Sequence, residues 1–121
     1  MERDLALVLD IVTYARRALE FTRGMTWEQF SADLKSQNAV QYALLVIGEA
    51  AGKLSTEFRN LHAELPWPKI TSLRHRLVHD YPRIELPKVW AVVQNHLQSL
   101  LETLEPLLPP DQTDNGQGPR L

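Results

Sequence analysis

Two arginines, two histidines, an aspartate and a tyrosine fall within eight residues of this chain, Arg74-His75-Arg76-Leu77-Val78-His79-Asp80-Tyr81. Such a set can work on a phosphodiester. An imidazole titrates near pH 6.5 when unperturbed, so it can both take and give a proton close to neutrality. A guanidinium stays charged and can grip two phosphate oxygens at once. These are the groups that metal-independent cleavage of RNA requires. A base removes the proton of a 2′-hydroxyl, that oxygen attacks its own neighbouring phosphorus, an acid protonates the leaving oxygen, and a cation carries the extra negative charge. Arg74 and His79 are the candidate catalytic residues. Tyr81 can orient phosphate or stack on a base.

The element that must position them is a helix. Ile70, Leu73 and Leu77 recur at helical spacing, Pro68 suits a first turn, and Pro82 biases Tyr81 away from the helical region. The helix is therefore expected to end near His79 or Asp80, with imidazole and cationic groups at the negative end of its dipole. His75 and His79, four apart, share a face. Arg74 lies five residues before His79, about 140° away on a regular helix. Either Arg74 bends round or two copies of the helix each contribute one half.

Each residue also has a plainer reading. Arg74 and His79 could simply be solvated charges at a helix end, and Tyr81 an aromatic tucked under the Pro82 turn. His75 is either a second imidazole beside His79 or a solvent-facing residue without a role. Arg76 and Asp80 are spaced to pair, although Asp80 could instead hold His79 in one tautomer. Glu49 is either a partner for Arg74 or His79 or a lone surface carboxylate. His75-x3-His79-Asp80 has ligand-like spacing but lacks the glutamate of His-Glu-x-x-His, and there is no glycine-rich phosphate loop. Neither a metal centre nor any other cofactor is expected.

Three stretches together resemble one family. Arg-x4-His-x-Tyr (Arg74, His79, Tyr81), Val46-Ile47-Gly48-Glu49-Ala50-Ala51 and Leu65-Pro66-Trp67 are similar to the HEPN superfamily, most closely to the HepT-type toxins of HEPN/MNT toxin–antitoxin pairs. The resemblance runs from about Trp27 to Trp90. The position after the arginine, often asparagine in the family, is His75 here. The resemblance implies a homodimer through the motif helices, with a composite cleft for RNA built from two motifs. It also implies a nucleotidyltransferase antitoxin that can attach AMP to the motif tyrosine, here Tyr81. The rival it leaves open is a non-catalytic HEPN module that binds a nucleotide or a partner, and a purely structural dimerisation bundle is a third reading.

The rest of the chain must carry that helix. With 121 residues it is expected to form one domain with a single core. Leu5 to Phe21 has one apolar stripe, and Gly24 suits its end. Thr26 and Gln29 are spaced as a capping box for a short turn carrying Trp27 and Phe30. Ser36 to Leu54 is apolar on so many sides that it must be central, and Gly48 and Gly52 would let another helix approach. A helical turn is expected around Phe58 to Leu61. Val89, Val93, Leu97, Leu100 and Leu104 repeat as in bundle packing, from Pro87 until Pro106. The fold expected is an all-α, four- to five-helix bundle over residues 1–108, with a disordered tail over 109–121.

Composition narrows the function. The formal net charge is −2, so tight, nonspecific binding along a nucleic-acid duplex is not supported. Between Trp67 and Trp90, however, Lys69, Arg74, Arg76, Arg83 and Lys88 face only Asp80 and Glu85, a local excess of +3. That suits one or two phosphates. The absence of cysteine excludes thiolate chemistry and fits a cytoplasmic setting. No apolar run approaches the roughly 20 residues that span a bilayer, so no membrane association is expected.

Overall fold

The computed structural model describes residues 2–79 and 84–110, all of whose regular structure is helical. The elements are α1 (Glu2–Phe21), α2 (Trp27–Ala32), α3 (Leu34–Lys53), α4 (Thr56–Leu61), α5 (Trp67–His79), α6 (Leu86–Asn95) and α7 (Leu97–Leu104), then a 3-10 turn, Glu105–Leu107. The long helices make an all-α bundle, with two short helices, α2 and α4, in the connections.

The central helix is α3, which packs on α1 along one side and on α5 along another. Its fully buried stripe is Val40, Ala43, Leu44, Ile47 and Ala51. From α1 the core takes Val8, Ile11, Val12, Ala15 and Ala18, all no more than 1% exposed. The expected edges of that stripe, Leu5 and Leu19, are only half-buried. Trp90 on α6 lies 4.9 Å from Phe30 on α2 (ring centroids), and Trp27 lies 6.4 Å from Trp90, so an aromatic group closes one end of the core.

Local chemistry sets where the helices begin and end. Gly24 has φ +74°, the left-handed region that a side chain resists, and lies in the turn after α1. Thr26 and Gln29 form a reciprocal capping box at α2: the Gln29 N–H donates to Thr26 Oγ1 at 3.1 Å and the Thr26 N–H to Gln29 Oε1 at 2.9 Å. The main helix starts at Leu34, earlier than its apolar pattern indicates, because Asp33 caps it. The Ser36 hydroxyl, and then its N–H, hold the Asp33 carboxyl below the ordinary range. Gln37 is buried but satisfied, its Nε2 donating to the carbonyls of Phe30 and Ser31.

The last helix is not continuous. It breaks at His96, where φ is −124°, so that α6 and α7 cover different partners. α6 reaches α2, while α7 lies on α1 with Leu97, Leu100, Leu101 and Leu104 buried. Repeated leucines and valines show an apolar face but not that its two halves turn to different neighbours. Of the tail expected to be disordered over 109–121, residues 111–121 lie outside the described residues.

One contact ties distant parts of the chain. Asp4, 7% exposed, accepts the Ser55 N–H at 2.9 Å and the Ser55 hydroxyl at 2.8 Å. The Ser55 Oγ in turn accepts the Phe58 N–H at 3.1 Å and caps α4. The carboxyl of Asp4 is held below the ordinary range chiefly by the Ser55 N–H; burial opposes this, and the Ser55 hydroxyl adds to it. Asp4→Ala is expected to cost about 1–2 kcal/mol. The sign of the pH dependence follows from the lowered folded pKa. The contribution is present above the unfolded value of about 3.9 and is lost as pH falls through the folded one. Urea unfolding at pH 7 and at pH 3 checks this: the variant should be clearly less stable at pH 7, and the gap should narrow at pH 3.

Candidate functional site

Arg74 is placed by a close approach of two helices. Gly48 on α3 faces α5 directly: a β-carbon built there would lie 2.6 Å from Arg74 Cβ and 3.1 Å from both the Arg74 nitrogen and the Ile70 carbonyl oxygen. Only a glycine leaves room for α5 at this spacing. One residue further along α3, Glu49 reaches across, and its Oε2 lies 2.8 Å from Arg74 Nε. Lys53, one turn on, approaches the other oxygen of the same carboxylate at 3.6 Å. All three groups are partly open to solvent, so the pairing contributes little stability, under about 1 kcal/mol. Its effect is geometric: a bond through Nε fixes the plane of the guanidinium.

That guanidinium lines an open cleft of about 380 Å³ between α1, α3 and α5, bordered also by Tyr42, Val46, Lys53 and Val78. Tyr42 and Val78 are large apolar or aromatic side chains left exposed at 57% and 44%. Tyr42 packs edge-on against Tyr14 at 5.9 Å, and Arg17 lies 4.9 Å over the Tyr14 ring.

The two histidines of α5 point elsewhere. His75 and His79 are both exposed, and their ring centroids are 4.5 Å apart at an interplanar angle of 43°. Arg74 thus faces α3 while the imidazole pair faces solvent, as the 140° offset on a regular helix requires. Arg76 is exposed on the side of α5 that borders the groove toward α6 and α7. Tyr81 and Asp80 lie outside the described residues, and with Asp80 so does the suggested Arg76–Asp80 pair. The other histidines are far from this arrangement in the chain: His62 stacks on Phe58 at 4.6 Å, and His96 marks the break between α6 and α7. Of the three tryptophans, Trp67 is buried and donates from Nε1 to the His62 carbonyl at 3.0 Å.

The residues that sequence reasoning missed are Lys53, Tyr42 and Val78. The first was readable, because Glu49 and Lys53 are four apart on a helix, the spacing of a surface ion pair. Tyr42 and Val78 carried no signal, since an apolar residue on a helix is expected to be covered.

Chemically, the arrangement offers a fixed guanidinium at a cleft and two adjacent imidazoles on an open helix face. Groups of these kinds are able to bind phosphate and to move protons. The chain belongs to the HepT-like ribonuclease family of the HEPN superfamily: the family profile described as "Ribonuclease HepT-like" matches residues 11–107. Among curated proteins, it is 38% identical over 88 residues to "Probable ribonuclease HepT" of Thermococcus cleftensis, covering 73% of this chain and 80% of that one. It is 33% identical over 103 residues to "Putative RNase MJ0127" of Methanocaldococcus jannaschii, covering 85% of each. A second protein of that organism, "Putative RNase MJ1380", is 30% identical over 105 residues, with 86% and 96% covered. No solved structure matches the chain significantly.

Proposed function

We propose that this chain is a metal-independent endoribonuclease toxin of the HepT type, acting in the cytoplasm on RNA and neutralised by a nucleotidyltransferase antitoxin. The observation that carries the reading is Arg74, held at the cleft by Glu49 in a chain of this family. Arg74 binds the scissile phosphate and carries the charge that develops on it. His79 transfers protons, with His75 beside it as the second imidazole on that face. The 2′-hydroxyl gives its proton to a base and bonds to phosphorus. The bond to the 5′-oxygen breaks, and that oxygen receives a proton from an acid, leaving a cyclic phosphate and a 5′-hydroxyl.

Arg74 and His79 face different ways on α5, and this supports a cleft assembled from two copies, in which the arginine of one motif works with the histidine of the other. Tyr81 stacks on a base or orients phosphate. AMP attached to Tyr81 by the antitoxin would place bulk and negative charge where the substrate phosphate binds, and so block it.

The test is cleavage of an RNA oligonucleotide by purified protein. Activity should survive EDTA and vanish in His79→Ala with the helical circular-dichroism signal unchanged. Binding of the oligonucleotide without cleavage by any preparation would instead establish a non-catalytic module. Intact mass after co-expression with the neighbouring gene should rise in AMP-sized steps that map to Tyr81. An unmodified chain would remove AMP transfer from the reading and leave the nuclease.

A further inference from the structure

We propose that His75 and His79 form a chelating site for a divalent transition-metal ion of the imidazole-binding class (Zn2+, Ni2+ or Cu2+), and that the bound ion switches off the chemistry of this helix end. The site is a new assignment. Its inhibitory consequence rests on the ribonuclease reading, whereas the binding itself does not.

The geometry carries the proposal. Two histidines one helical turn apart are the pair that His-Glu-x-x-His enzymes use to grip zinc. Here the ring centroids are 4.5 Å apart. A metal bonded to a ring nitrogen at about 2.0–2.1 Å lies about 3.2 Å from that ring's centroid. Centroids 4.5 Å apart then subtend roughly 90° at one shared ion, an ordinary angle between neighbouring ligands. The separation of the two rings is therefore compatible with one shared ion.

The surroundings agree. Both imidazoles are exposed in the chain, so water can complete the coordination sphere. The helix bearing them is anchored by its packing on α3 at Gly48, so little order remains to be imposed. Arg74, the cation next in sequence, is turned toward Glu49 and not toward the pair. Among the described residues no group of three or more metal-binding side chains gathers, so the site rests on these two ligands alone. An ion held there occupies the lone pairs that a base would use, and a ligated nitrogen can neither take nor give a proton.

The experiment uses untagged protein, freed of metal with EDTA and dialysed, with Zn2+ alone as the probe. Isothermal titration should show one ion per chain, with affinity weaker by roughly tenfold or more in His75→Asn and in His79→Asn. His62→Asn and His96→Asn, on other elements, should bind as the wild type does. No binding, or binding undiminished in His75→Asn and His79→Asn, overturns the site. In the RNA assay, cleavage should fall with the midpoint seen for binding and return when EDTA is added. Cleavage indifferent to saturating Zn2+ overturns the switch. A chain that binds Zn2+ through this pair but cuts no RNA upholds the site and removes the ribonuclease reading, so the two fail separately.

Discussion

Arg74→Ala is expected to lower RNA cleavage by about two to three orders of magnitude while leaving the fold intact. The size follows from what one well-placed donor to a developing oxyanion contributes. The separation of activity from stability follows from the structure. Alanine keeps the β-carbon that faces Gly48, so the contact between α3 and α5 survives. The lost ion pair with Glu49 is partly exposed, with side chains 42% and 46% accessible, and its removal should cost under about 1 kcal/mol. Arg74→Lys should fall between the two, because an ammonium keeps the charge but cannot grip two phosphate oxygens in one plane. Initial rates on an RNA oligonucleotide, with urea unfolding on the same preparations, decide the matter. Wild-type cleavage by Arg74→Ala would remove the arginine from the phosphate site.

Gly48→Ala should destabilise the bundle although it adds only a methyl group. A methyl group there meets Arg74 Cβ at 2.6 Å and two backbone atoms of α5 at 3.1 Å. None of these is the far end of a flexible side chain, so α5 must move. Overpacking of this kind typically costs about 1–3 kcal/mol, against which alanine returns up to about 1 kcal/mol of helix propensity. Because the displaced residue is Arg74, cleavage should fall as well. Gly52→Ala is the control. Its β-carbon would touch only Thr71 Cγ2 at 3.9 Å, an ordinary contact, so propensity should prevail and the chain should gain up to about 1 kcal/mol. Thermal unfolding of the two variants should therefore shift in opposite directions. A stabilised Gly48→Ala would mean that α5 does not sit this close to α3.

These two glycines mark how far the sequence could be read. Four apart on an apolar helix, they share a face, and both suggest a close approach. Only the placement of α5 makes one indispensable and the other replaceable. The same limit applies to the ion pair at the site. Glu49 stands out in the sequence as a carboxylate amid apolar neighbours and is one candidate partner of Arg74 or His79; that it pairs with Arg74 depends on how two helices pack, which no local spacing encodes. The Asp4–Ser55 clamp, spanning 51 positions, was unreadable for that reason.

The sequence by itself determined the elements and much of their chemistry. Apolar periodicity gave the long helices, Thr26 with Gln29 gave a capping box, and the four-residue step from His75 to His79 gave an imidazole pair on one face. These are short-range properties, set by backbone geometry and side-chain reach within a turn or two. The tertiary structure decided which faces meet. It set α5 against α3 at Gly48, turned Arg74 to Glu49, left Tyr42 and Val78 open, and broke the last helix at His96 so that its halves cover different neighbours. Those outcomes depend on how whole helices share one core, a condition satisfied by all of them together and written in no single stretch of the chain.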